Sequence, residues 1–268
     1  VHDSLEGSLS EGSAETMVVV LIGGYLTAGG ANAINMWYDR DIDPMMRRTA
    51  NRAIPSGKVS AESALAFGIS ISSLGVAWFY LMSNEVAAFW SAFSILFYVL
   101  VYSMWLKRST PQNIVIGGIA GSTPPVIGWA ASVEGLAISN ISLGASIESL
   151  FDLGSSMPWF MFILIFLWTP PHFWALALYR SKEYAEVGVP MLPNVKGPER
   201  TIIEMKVYSV LLILLSFIAP LSFGEIEIYE EGYHVLSWTI LGLSFWYAST
   251  VWRIDISEIP DDSGRIAS

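Results

Sequence analysis

The chain has 268 residues, 53% of them hydrophobic and only 14% charged, with a mean hydropathy of +0.50. Soluble domains carry about 25% charge, so the composition excludes an ordinary soluble enzyme. The formal charge of −10 argues against a nucleic-acid binder, and zero cysteines exclude disulfides, Cys-ligated zinc, iron–sulfur clusters and thiol nucleophiles.

Val1–Thr16 is polar and acidic and lacks the basic start of a signal peptide, which reads as the start of a fragment or of a processed form. Apolar, charge-free runs follow at Met17–Tyr38, Ser63–Met82, Ala87–Trp105, Ile114–Ala131, Pro158–Tyr179, Val207–Phe223 and Val235–Trp252. Each is about 17–22 residues, enough for a helix to cross ~30 Å of hydrocarbon. The pattern predicts an all-α polytopic transmembrane helical bundle with seven spans and no soluble domain.

Charge placement fixes the expected topology. All 14 basic residues fall in the loops after spans one, three and five or in the tail, from Arg40 to Arg265. The other side holds only acidic charge, including Asp3, Glu6, Glu85, Glu134, Glu148, Asp152, Glu225, Glu227, Glu230 and Glu231. The positive-inside rule then places the N-terminus outside and the C-terminus inside. The longest outer loop, Ser132–Met157, is expected to hold a short interfacial helix at Ile138–Phe151. Trp37, Trp105, Trp159 and Trp252 lie near span ends, where interfacial aromatics belong.

The first inner loop carries the chemistry. Asn35, Asp39 and Asp43 recur at i, i+4 and i+8, with Asn32 one turn earlier on the same side. On a helix they form a column of oxygen ligands. Stacked carboxylates repel and are expensive near hydrocarbon, and a divalent cation relieves both penalties. Mg²⁺ favours a few carboxylates completed by phosphate oxygens and water. Arg47, Arg48 and Arg52 follow, and guanidinium forks match phosphate. A metal–diphosphate site is expected here, against the plainer reading of a mixed-charge loop that only fixes topology. Asp41 points away from the column and reads as a surface charge or an Arg partner. Asn51-Arg52-Ala53-Ile54-Pro55-Ser56-Gly57 turns the chain back, with Arg52 either facing phosphate or belonging to a plain loop.

The Asn-x3-Asp-x3-Asp column followed by Arg-Arg-Thr-x-Asn-Arg-x-x-Pro-Ser-Gly resembles the first Asp-rich motif of the UbiA superfamily of intramembrane prenyltransferases. Two later stretches resemble its protoheme-farnesylating branch. One is Tyr102-Ser-Met-Trp-Leu-Lys107-Arg108-Ser-Thr-Pro111-Gln112-Asn113. The other is Leu167-Trp168-Thr169-Pro170-Pro171-His172-Phe173-Trp174, running on to Tyr179-Arg180-Ser-Lys182-Glu183-Tyr184 and Val189-Pro190-Met191-Leu192-Pro193. The resemblance is dense over Thr27–Pro193. It implies a UbiA-like fold of nine spans with the first and last missing here, so that residues 1–268 form a single transmembrane prenyltransferase domain.

The resemblance also implies a reaction in which farnesyl diphosphate, protoheme IX and water give heme O and diphosphate. Implied with it are Mg²⁺ as cofactor, the lipid bilayer as medium and heme A synthase as a possible partner. Asn35, Asp39, Asp43, Lys107 and His172 would be catalytic. Asn32, Arg48, Arg52, Lys107, Arg108 and Glu183 would meet diphosphate, and Asn35, Asp39, Asp43 and Glu183 would meet metal. Lys107 and Arg108 could equally be snorkelling anchors at a span end. His172 could ligate iron, donate to a propionate, move a proton or simply pack. Many relatives carry a second Asp-x3-Asp motif after span five. Here Glu183 is followed by Val187, which weakens the case for a symmetric second metal site, and Glu186 reads as surface. The expected setting is a prokaryotic cell membrane or mitochondrial inner membrane, with the active face on the cytoplasmic or matrix side. The rival readings are prenylation of a quinone precursor and a non-enzymatic seven-span transporter or receptor.

Overall fold

In the computed structural model, residues 11–222 and 231–255 are described. Outer-side Asp3, Glu6, Glu225, Glu227 and Glu230, the last residue of span six (Phe223) and inner-side Arg265 lie outside them. The described residues are helical, with no strand.

Helix α1 (Glu11–Tyr38) begins before the predicted apolar run, and its polar first turns continue the same helix. A short 3-10 turn at Asp43–Met45 leads through a loop to α2 (Ala61–Met82), capped by Ser60, whose hydroxyl accepts from the Ser63 amide. Helix α3 (Glu85–Leu96), capped by Asn84, widens into a π-helix at Phe97–Trp105 and tightens into a 3-10 turn at Leu106–Arg108. The fourth span is broken into α4 (Asn113–Ser122) and α5 (Pro124–Ser132), with Pro124 at the start of α5, where its missing N–H costs nothing.

Helix α6 (Leu143–Phe151) is shorter than the expected Ile138–Phe151. The amides of Ile138 and Ser139 are diverted to Glu85 and to the Ser149 hydroxyl, and Ser142 caps the helix instead. Then come α7 (Met157–Tyr179), α8 (Ser181–Glu186), α9 (Leu192–Lys196), α10 (Pro198–Ser216), α11 (Ala219–Ser222) and α12 (Glu231–Trp252).

Helices occupy all seven predicted runs, but among the described residues 5 are long and apolar enough to cross a membrane: Ala14–Tyr38, Ala61–Met82, Glu85–Arg108, Asn113–Ser132 and Met157–Tyr179. Helix α10 spends its first half on Glu199, Arg200, Glu204 and Lys206, which shortens its apolar run. The spanning helices are only 22–39% buried, and large apolar side chains such as Leu21, Phe67, Leu81 and Leu214 are exposed. Such an apolar exterior suits lipid rather than water.

The backbones of α1 and α2 nearly touch. A Cβ on Gly30 would lie 2.7 Å from the Ser72 amide nitrogen and 2.8 Å from the Gly68 carbonyl oxygen. Small residues let helices approach this closely where no water drives association. At the end of the bundle where α3 begins, Asn84 donates to the Ala130 carbonyl (2.7 Å) and Trp90 to that of Leu150 (2.9 Å), while Trp159 stacks on Phe151. At the opposite end, Ile42 and Met46 pack with Ile114, Ala177, Tyr184, Val189 and Met191. This second cluster packs the loop after α1 and the segment after α7 together at that end of the bundle.

Candidate active site

The C-terminal end of α1 delivers the oxygen column. Asn35 sits in the last turn of the helix, Asp39 just beyond its end and Asp43 at the start of the 3-10 turn, with helical hydrogen bonds carrying the chain through (Asp39 N to Asn35 O, 2.9 Å; Asp43 N to Asp39 O, 2.9 Å). All are buried: Asn35 is 5%, Asp39 0% and Asp43 2% exposed. Buried carboxylates must be paired, and each is. Lys107 closes on Asp39 Oδ2, and Arg108 reaches Asp39 Oδ1 at 3.3 Å. Arg52 Nη1 straddles the Asp43 carboxylate at 3.0 and 2.8 Å.

These groups do not all face the same space. A cavity of about 290 Å³ is lined by Asn35, Asp43, Arg48, Arg52 and Lys107 on its polar side. Tyr98, Tyr102, Asn113, Phe173, Tyr184 and Met191 are among its other walls. Asp39 is not on this surface; it lies behind Lys107 and anchors it. Arg108 turns away as well, pairing with Asp41 at 2.6 and 2.7 Å and lying over the Tyr38 ring. The Arg partner expected for Asp41 is therefore Arg108, whose guanidinium holds the Asp41 carboxyl below its ordinary value of 3.8. Arg48 is exposed, lines the cavity and forms no ion pair among the described residues.

Glu183 is held by Arg180 at 3.1 Å and is not among the residues lining the cavity; its neighbour Tyr184 is. His172 is exposed and stacked on Trp168 at 4.4 Å and is not among the residues lining the cavity, while its neighbours Thr169 and Phe173 are. The helix runs unbroken through Pro170 and Pro171, both buried, and the Thr169 hydroxyl donates to the Ile165 carbonyl at 2.7 Å.

A second cavity, of about 280 Å³, adjoins the first. Its walls are mostly apolar, including Ala28, Ala31, Phe79, Ile95 and Ile127, and it shares Asn32, Tyr98 and Gly121 with the polar cavity. The pair forms an amphiphilic space, with a cationic and carboxylate head and an apolar arm running between α1, α3 and α4. Sequence reading misses the walls of that space. Tyr98 and Tyr102 sit in a run that reads as uniform lipid-spanning helix, and in the π-helix Phe97–Trp105 both line the polar cavity.

Residues 7–262 match the UbiA prenyltransferase family. The chain belongs to that family. Two solved UbiA structures share the fold. One, a UbiA homolog from Archaeoglobus fulgidus bound to DMAPP and Mg²⁺, has a TM-score of 0.64 at 18% identity, covering 88% of this chain and 75% of that one. The other, the apo structure of a UbiA homolog from Aeropyrum pernix K1, has a TM-score of 0.68 at 20% identity, covering 89% and 80%. Among curated UbiA relatives, the protoheme IX farnesyltransferase of Sinorhizobium fredii is 48% identical over 228 residues, 85% of this chain and 64% of that protein. The protoheme IX farnesyltransferase of Acidiphilium cryptum is 46% identical over 230 residues, with the same coverages of 85% and 64%. The chain thus spans just under two thirds of the length of these relatives.

The donor set suits the hard cation that UbiA membership implies. The Asp43 carboxylate and the Asn35 amide both line the cavity, and Mg²⁺ commonly takes one or two such oxygen-bearing groups and fills its shell with water and phosphate. Among the described residues no cluster of three or more His, Asp or Glu side chains forms, either beside Asp43 or beside Glu183.

Proposed function

We propose that the chain is the catalytic body of a Mg²⁺-dependent prenyltransferase that moves a farnesyl group from farnesyl diphosphate to protoheme IX, with water, giving heme O and diphosphate. One observation carries the reading: a head chamber lined by Arg48, Arg52, Lys107, Asn35 and Asp43 shares walls with an apolar arm. That is the shape and polarity of an isoprenoid diphosphate. The names of the Sinorhizobium and Acidiphilium relatives support protoheme as the acceptor over a quinone precursor. We further propose seven spans in this chain, as part of a longer fold, with the head chamber on the cytoplasmic or matrix side.

In this reading the cation would be held by Asn35 and Asp43, and when bound it supplies positive charge to the departing diphosphate. The chain's own groups do the rest. Arg48 and Arg52 lie where phosphate oxygens enter, and a guanidinium fork meets two at once. Lys107 adds a point charge, and the buried Asp39 behind it keeps the ammonium aimed at the chamber. Charge placed in advance where the leaving group develops it lowers the barrier to C–O cleavage. The rings of Tyr98 and Tyr102, stacked at 5.5 Å, flank the junction of the two chambers, where aromatic faces stabilise an allylic cation and exclude water. A vinyl carbon of protoheme then bonds to the farnesyl terminus, and water completes the hydroxyethylfarnesyl group. His172 is not among the residues lining the chamber, so we assign it no step in diphosphate departure.

The test is label transfer. Membranes bearing the protein are incubated with heme and radiolabelled farnesyl diphosphate, with and without Mg²⁺. Label in heme, dependent on Mg²⁺ and lost in Asp43→Asn, is the expected result. Label in an added quinone precursor with none in heme would overturn the acceptor assignment.

A further inference from the structure

The π-helix Phe97–Trp105 is nine residues long, whereas π geometry normally occurs as single-turn bulges, often at functional sites. Its wide turn permits a hydrogen bond that an α-helix does not offer. Serine in an α-helix usually donates to the carbonyl three or four residues back. Ser103 instead donates to the Tyr98 carbonyl, five residues back, at 2.9 Å. That leaves a lone pair of its oxygen free to accept, and Asn35 Nδ2 donates to it at 3.1 Å.

The hydrogen-bond directions around Asn35 are then fixed. One N–H of its amide goes to Asp39 Oδ2 at 2.9 Å and the other to Ser103 Oγ. With both donors engaged in the fully buried floor formed by Asp39 and Ser103, the amide oxygen is the end left on the Tyr98 side, where the phenol donates to it at 3.4 Å. Asn35 is also a wall of the head chamber. A flipped amide would set its oxygen against the Asp39 carboxylate and an N–H2 group toward the chamber, which repels a cation.

We infer that Ser103 is a positioning residue: by accepting from Asn35 it holds the amide with its oxygen presented to the head chamber, as a ligand for a divalent cation. The inference rests on the metal-site reading above. It gives the long π-helix a purpose, since Tyr98, which flanks the amide oxygen, and Ser103, which grips the amide nitrogen, are brought to one residue of α1 by the five-residue turn. Outer groups that orient a metal ligand typically matter by 10–100-fold in affinity.

The experiment is Mn²⁺ binding to the detergent-solubilised full chain, read by electron paramagnetic resonance, with the thermal midpoint of the metal-free protein measured alongside. The variants are Ser103→Ala, Ser103→Thr and Asp43→Asn. Ser103→Ala is expected to weaken Mn²⁺ binding by about tenfold with little change in the metal-free midpoint, and Ser103→Thr, which keeps the hydroxyl, to bind near wild-type strength. Wild-type affinity in Ser103→Ala would overturn the role, as would equal loss in the Thr and Ala variants. If wild type and Asp43→Asn alike bind no Mn²⁺, the metal-site reading itself falls, and the two failures are distinguishable.

Discussion

Lys107 and Asp39 form an ion pair in which the carboxylate is fully buried and only the lysine reaches the cavity. The pair therefore divides the acidic column by role: Asp43 faces the ligand space, and Asp39 holds the cation that does. Removing one partner of a buried pair leaves the other uncompensated, at a cost of about 3–5 kcal/mol. Asp39→Asn is expected to lower both thermal stability and prenyl transfer, whereas Asp43→Asn lowers transfer with a smaller stability loss because Arg52 can turn to solvent. Thermal unfolding of both variants in detergent, beside their transfer rates, separates the roles. Equal midpoints would contradict the division.

Gly121 is a wall of both chambers, and a Cβ built on it meets nothing within 4 Å. Gly121→Leu is therefore expected to fold, gain helix propensity and fill the junction. The KM for farnesyl diphosphate should rise by about tenfold, the equivalent of ~1.4 kcal/mol, while a five-carbon diphosphate that needs only the head chamber is still bound. Competition by each diphosphate for Mn²⁺-loaded protein reads this directly.

Much of this site is legible in the sequence, and the illegible part has physical causes. The i, i+4, i+8 column is local, and helical periodicity alone puts Asn35, Asp39 and Asp43 in line. What periodicity does not reveal is which of them a distant cation will cover, and Lys107 lies 68 positions from Asp39. Nor does it reveal that Arg108, expected at diphosphate, pairs with Asp41 and Asp39, or that Glu183 pairs with Arg180. Tyr98 stays hidden, and Tyr102 and Ser103 appear only as members of a motif without a role, because hydropathy reads a π-helix and an α-helix alike. The spans were easy where charge is absent and harder at α10, where the charged residues of its first half share the helix with the apolar run.

The α1–α2 contact provides a stability prediction. Gly30→Ala places a methyl within 2.8 Å of backbone atoms on α2, whereas a Cβ on the adjacent Gly29 meets only Ile71 Cδ1 at 3.6 Å. Overpacking costs about 1–3 kcal/mol, so Gly30→Ala should lower the thermal midpoint in detergent and Gly29→Ala should not.

The Asp41–Arg108 pair has a pH signature. Arg108 depresses the Asp41 pKa below 3.8, so the pair's contribution to stability is complete above that value and is lost as pH falls through the folded-state value below it. Asp41 is 57% exposed and Arg108 31%, so solvent screens the pair and the effect is small. Asp41→Asn is expected to leave transfer within about twofold of wild type near neutrality. Its difference in thermal midpoint from wild type should shrink as the pH is taken below 3.8.

The most direct test of the central claim is the mass of heme recovered after the protein is supplied with protoheme IX, farnesyl diphosphate and Mg²⁺. The account predicts a product heavier than protoheme by one farnesyl group plus a hydroxyl, absent when Asp43 is replaced by Asn. Recovery of unmodified protoheme alongside a prenylated quinone precursor would contradict it.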